Sequence, residues 1–160
     1  MPKRVDARTL SRWERVASAA RNELAAAGLP VVVPSLAPKL AVGADVTIDP
    51  IDDTAGGVFI EWHASPRLTD CAVTALRHKR TDDPALRYNG AVQEAMAKAV
   101  AVILKAAGFS VQDAEDEYRP FALKVAAGPR DDVSPSWATR DDELALPGWT
   151  PAQRPHPNQG

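Results

Sequence analysis

Two short runs of apolar–polar alternation constrain this chain more than any other feature. In 44–49, Val46 and Ile48 alternate with Asp45, Thr47 and Asp49; in 57–63, Val58, Ile60 and Trp62 alternate with Phe59, Glu61 and His63. A period of two places successive side chains on opposite sides of an extended backbone. The two runs therefore predict a β-hairpin with one apolar face. The connection from Pro50 to Gly57 is too long for a two-residue turn. A hairpin of this size is not stable alone, so the rest of the chain has to supply more strands and a cover.

Helical periodicity supplies the cover. Leu10, Trp13, Ala17, Ala20, Leu24 and Ala27 recur at spacings of three and four, with Asp6 or Thr9 as a cap and Gly28 then Pro30 as a stop. Arg12, Glu14, Arg15, Arg21 and Asn22 lie mostly off this stripe. Val31–Val33, flanked by prolines, reads as a short edge strand or an extended lead-in. Residues 34–43 read as a loop. Ser65-Pro66 opens a second helix whose modest apolar face is Leu68, Ala72, Ala75 and Leu76 and which ends in Arg77, His78, Lys79 and Arg80. Residues 81–89 read as a polar linker. The longest helix is expected over 90–107, capped by Asn89, with Val92, Met96, Ala99, Val100, Ile103 and Ala107 on one face and Ala95, Val102 and Ala106 widening it. Strands follow at 109–112 and 121–125, joined by an acidic loop.

The expected fold is thus α/β in the α+β sense. It is one mainly antiparallel twisted sheet covered by about three helices, in the order α-β-β-β-α-α-β-β. Residues 1–127 are expected to form a single domain, and 128–160 a proline-rich C-terminal arm that is partly disordered. The arm has six prolines in 33 residues and no sustained period, yet it carries Trp137, Leu144, Leu146 and Trp149. Those four are the candidate interaction residues, since such side chains favour a partner surface over water. A faint echo links Leu24–Val31 with Leu104–Val111, each a helix end followed by a glycine and a strand start. It reads either as two pseudo-symmetric helix-plus-hairpin halves or as convergence of alanine-rich helix ends.

Composition narrows function. Alanine accounts for 29 of 160 residues. It favours helix but buries little area per residue, so tight packing or an added interface has to compensate. A net charge of −2 excludes a generally basic nucleic-acid coat. Cys71 is the single cysteine, which excludes an internal disulfide and a four-thiolate zinc site. No run approaches a membrane span, and Lys3 and Arg4 are not followed by the apolar stretch of a signal peptide. These features predict a soluble, cytoplasmic protein without membrane association. Cys71 itself reads as a buried thiol on the second helix.

Chemistry-bearing residues concentrate on the hairpin. Asp49, Glu61 and His63 offer oxygen and nitrogen ligands for Mg or Mn if the antiparallel return brings them together. Otherwise they are solvated surface. The stretch resembles the nuclease superfamily marked by Pro-Asp followed by Asp/Glu-x-Lys, with Asp49 and Glu61-Trp62-His63 at the matching positions. That resemblance implies metal-assisted phosphodiester hydrolysis, with His63 standing where the family has lysine and Asp49 preceding Pro50 rather than following a proline. Arg77, Lys79 and Arg80 are the candidate phosphate contacts of a nucleic-acid-binding module. The chain carries no phosphate-cradling loop, dinucleotide fingerprint, zincin motif or serine elbow.

Gly56–His63, Asp82–Arg87 and Tyr118–Leu123 resemble stretches of small uncharacterised proteins of high-GC actinobacteria and their phages. The order of elements is similar in outline to phage tail-terminator and neck proteins. That likeness implies ring assembly with arms reaching across subunits, and a virion as the alternative location. The leading expectation is a non-enzymatic structural or protein–protein interaction protein that forms a homo-oligomer, or binds a protein partner, through its body and arm. No cofactor or catalytic residue is assigned. The metal-dependent nuclease and the nucleic-acid-binding module are the alternatives.

Overall fold

In the computed structural model, residues 3–33, 41–130, 134, 135, 137 and 138 are described. Leu144, Leu146 and Trp149 lie outside the described residues. The described elements run α1 (Ala7–Ala26), β1 (Gly43–Asp49), β2 (Gly57–His63), α2 (Pro66–Arg77), α3 (Pro84–Ala106), β3 (Ser110–Asp113) and β4 (Leu123–Ala127). The strands form one open antiparallel sheet in the order β1-β2-β4-β3. Among the described residues no helix is long and apolar enough to cross a membrane.

The hairpin forms because alternation and register agree. Asp49 pairs with Gly57, and every later pair follows in step to Gly43 opposite His63. Val46, Val58, Ile60, Val111, Leu123 and Val125 then share the face that α1 and α3 cover, with Ala17, Ala20, Leu24, Val100 and Leu104 pressed onto it. Trp62 packs at the margin of the same core. α2 packs chiefly on α3 through Ala72 and Ala75. Among the described residues, eight of the nineteen buried apolar side chains are alanine. Each contributes far less than the ~1.5–3 kcal/mol of a buried leucine or isoleucine, so the few large side chains hold the layers together.

The structure departs from expectation at several places, each with a physical cause. Val31 makes a single parallel bridge to Ala44, so of the two readings of Val31–Val33 the extended lead-in holds and the edge strand of the expected element order does not. Prolines at 30 and 34 leave no donor to extend it. α3 starts at Pro84 rather than near residue 90, and its cap is Asp83, not Asn89. The Asp83 carboxylate accepts from the Ala85 N–H at 2.9 Å, and a proline at the first helical position sacrifices no hydrogen bond. Val102, at 67% exposure, Ala95 and Ala106 face solvent, so the apolar face of α3 is narrower than the sequence suggests. Phe121 belongs to the turn before β4, with φ +70°. Cys71 is exposed rather than buried, although it lies one helical turn from the buried Ala75.

Asp6 is the N-cap of α1. The Thr9 backbone N–H, donating at 2.7 Å, holds the Asp6 carboxyl below its ordinary value, with help from the Thr9 hydroxyl. A carboxyl lowered in the folded state contributes stability above its unfolded pKa and loses it as pH falls through the folded one. Titrating helicity by circular dichroism from pH 5 downward is expected to show this loss in the native chain. It should be weaker in Asp6→Asn, which keeps an acceptor but has no proton to take up. Identical acid limbs would contradict the capping role.

Candidate functional site

The face of the sheet away from α1 and α3 carries Asp45, Thr47, Asp49, Phe59, Glu61, His63 and Lys124. Register decides which of them meet. The pairs run Asp49↔Gly57, Asp45↔Glu61 and Gly43↔His63, so Asp49 sits at the loop end and His63 at the opposite end of the hairpin. The expected trio of Asp49, Glu61 and His63 therefore does not converge. Four residues of strand, ~13 Å, separate the level of Asp49 from that of Glu61. His63 instead meets Asp45, Nε2 to Oδ2 at 3.0 Å. Among the described residues no group of three or more His, Cys, Asp or Glu side chains is arranged to hold a metal ion.

Nearer the β2–β4 seam, Phe59 is buried on this face. The Arg119 guanidinium lies 4.6 Å from its ring centroid and the Lys124 ammonium 5.4 Å, the ammonium also donating to the Thr54 carbonyl at 2.7 Å. Arg119 is steered there by Asp116, at 2.8 Å. The same contact, followed by the Tyr118 N–H, holds the Asp116 carboxyl below its usual range. These groups serve one another: the basic side chains lid an aromatic ring that no helix covers.

The basic run lies in the turn between α2 and α3. Arg77 is the last residue of α2, His78 its C-cap, and Lys79 takes the left-handed conformation at φ +55°. Arg80 turns back to Asp83 at 3.6 Å. Arg77, Lys79 and Arg80 are exposed, and the turn that presents them is also what reverses the chain into α3.

A concavity lies elsewhere, beside α1. On α1 the residues Arg12, Val16, Ala19 and Glu23 follow one another at spacings of three and four, on the flank beside the core stripe. This flank, the C-terminal end of α3 and the chain leaving β4 enclose a half-open groove of about 870 Å3. Its walls are largely apolar: Val16 and Ala19 on one side, Ala106 and Ala107 on another, and Pro129 and Pro135 from the arm. Arg12, Arg15 and Arg130 add positive charge. Trp137 closes one end, its indole N–H donating to the Glu23 carboxylate at 2.6 Å. The chain leaves β4 against α1 at Gly128, where an added Cβ would meet Val16 at 3.4 Å and Phe109 at 3.6 Å, ordinary contact distances.

The sequence singles out Trp137 but not its receiving surface. Helical spacing identifies the α1 stripe that faces the core and leaves Arg12, Glu14, Arg15, Arg21 and Asn22 mostly off it. The sequence signal for this flank is Val16 and Ala19 at helical spacing beside Arg12 and Arg15. Comparison with family models, curated proteins and solved structures finds no match for this chain.

Proposed function

We propose that this is a non-enzymatic interaction protein that self-associates, and that the groove beside α1 is where it receives a peptide segment. The observation that carries this reading is the groove itself. It has the volume of an ordinary binding cleft, apolar walls of small residues, and cations along α1 and the arm. Small side chains leave room for a partner's larger ones, and guanidinium groups add orientation and on-rate through charge. Trp137 supports the same reading: one arm tryptophan already rests on α1, by a polar handle and a ring that is 52% exposed. An alanine-rich body of this kind also gains from further burial at an interface. The outline likeness to ring-forming phage proteins is compatible with a role in assembly, and the groove fits a structural part better than a catalytic one.

The test is static light scattering on the full-length protein across a hundredfold range of concentration. The weight-average mass is expected to climb from 17.1 kDa toward a multiple of it. A mass held at 17.1 kDa over the whole range would contradict the reading.

A further inference from the structure

We infer that the peptide received by the groove is the segment Asp141–Trp149 of a second copy of this chain. The inference rests on the reading above and adds the identity of the ligand.

The order of chemistries matches. The segment reads Asp141, Asp142, Glu143, then Leu144, Leu146 and Trp149. The groove offers Arg12 and Arg15 at one end, then Val16 and Ala19 against the Ala106–Ala107 wall, and Trp137 at the far end. Acids beside guanidiniums and leucines on an alanine-lined wall are complementary in charge and in size.

Reach decides between the chain's own arm and a neighbour's. From Arg12 to Glu23, α1 rises ~16 Å. An extended chain covers the same distance in about five residues. Trp137 of a chain's own arm is held at Glu23, so an own arm running back along α1 would reach the level of Arg12 at about residue 142. Its acids would then meet the arginines, but Leu144, Leu146 and Trp149 would be carried past them, away from the apolar wall. A segment from a second copy is free of that tether and can run in the opposite direction. With its acids at Arg12 and Arg15, Leu144 falls ~7 Å further on, against Val16, and Leu146 ~13 Å on, near Asn22. Only the exchanged arm fills both halves of the groove.

Site-directed disulfide trapping between full-length chains tests this. Every chain carries Cys71→Ser, because Cys71 is exposed. One chain adds Asn22→Cys, an exposed groove position; the other adds Leu146→Cys and a tag that changes its mass. Mixing and mild oxidation are expected to give the tagged–untagged dimer several times more readily than a control acceptor with Thr74→Cys on exposed α2. Adding Arg12→Glu to the acceptor is expected to cut that yield severalfold, and Ala19→Cys serves as a second acceptor. A mixed dimer no more abundant than the control would overturn the inference. So would an intrachain bond dominating when one chain carries both cysteines. If the mass still climbs with concentration while trapping fails, the inference falls and the self-association reading stands. If the mass stays at one chain, the reading itself falls.

Discussion

Replacing Gly43 by alanine is expected to destabilise the protein by about 3 kcal/mol. Two independent penalties combine. Gly43 holds φ +109°, outside the range open to L side chains, and a Cβ there would stand 2.2 Å from the Pro30 carbonyl oxygen. That carbonyl cannot retreat cheaply. It accepts from the Ala44 N–H at 2.9 Å, while the Val32 N–H donates to the Ala44 carbonyl at 2.9 Å, and these two bonds tie the chain after α1 to the edge of the sheet. Moving one partner breaks the pair and exposes the outer edge of β1. Urea denaturation followed by circular dichroism measures the loss. Gly90→Ala is the internal contrast: Gly90 lies inside α3 with nothing within 4 Å of a new Cβ, so alanine there is expected to stabilise by about 1 kcal/mol. Equal midpoints for the two variants would contradict the geometry at Gly43.

Leu104→Ala is the second large effect, expected to cost about 3–4 kcal/mol. Leu104 is fully buried and anchors α3 on the sheet, in the same core as Val100 and the α1 residues Ala20 and Leu24. A cavity is least costly where neighbours are long and can swing inward. Here many buried residues are alanines, which have no rotamer to move, so the void stays open and the cost falls in the upper part of the usual range. Val102, two residues earlier and 67% exposed, gives the comparison: Val102→Ala is expected to change stability by no more than about 0.5 kcal/mol. A small effect at Leu104 would mean that α3 is not the principal cover of the sheet.

Much of the architecture is legible because periodicity and punctuation point the same way. Alternation alone marks the hairpin, and a stripe ending at Gly28 marks α1. The echo between Leu24–Val31 and Leu104–Val111 has a structural counterpart. The Leu29 and Phe109 N–H groups donate back to the Leu24 and Leu104 carbonyls, and the sheet order β1-β2-β4-β3 places the second hairpin beside the first with the later strand of each inward. What resists reading is local competition. Asp83-Pro84 resembles a linker because proline usually interrupts a helix, yet at the first helical position it starts one. Phe121 fits a strand by alternation, but a turn in the left-handed conformation claims it.

The candidate site is less legible than the fold. Asp49, Glu61 and His63 are close in sequence pattern, and a loosely drawn antiparallel return would bring them together. Register forbids it: once the loop closes at Asp49 and Gly57, the partner of Glu61 is Asp45. That arithmetic is available from the sequence. The groove is not, because it is made by three segments far apart in the chain, α1, the end of α3 and the arm. No short-range pattern reports how helix flanks and a chain exit combine.

Whether α1 and the arm meet between copies can be read from amide hydrogen exchange on the full-length protein, resolved by segment and compared at low and high concentration. Exchange is expected to slow with concentration in 141–149 and in the Arg12–Glu23 stretch of α1, while α2 is unchanged. Exchange in 141–149 that stays fast and independent of concentration, or slowing confined to α2 or the open face of the sheet, would refute the exchanged-arm assembly.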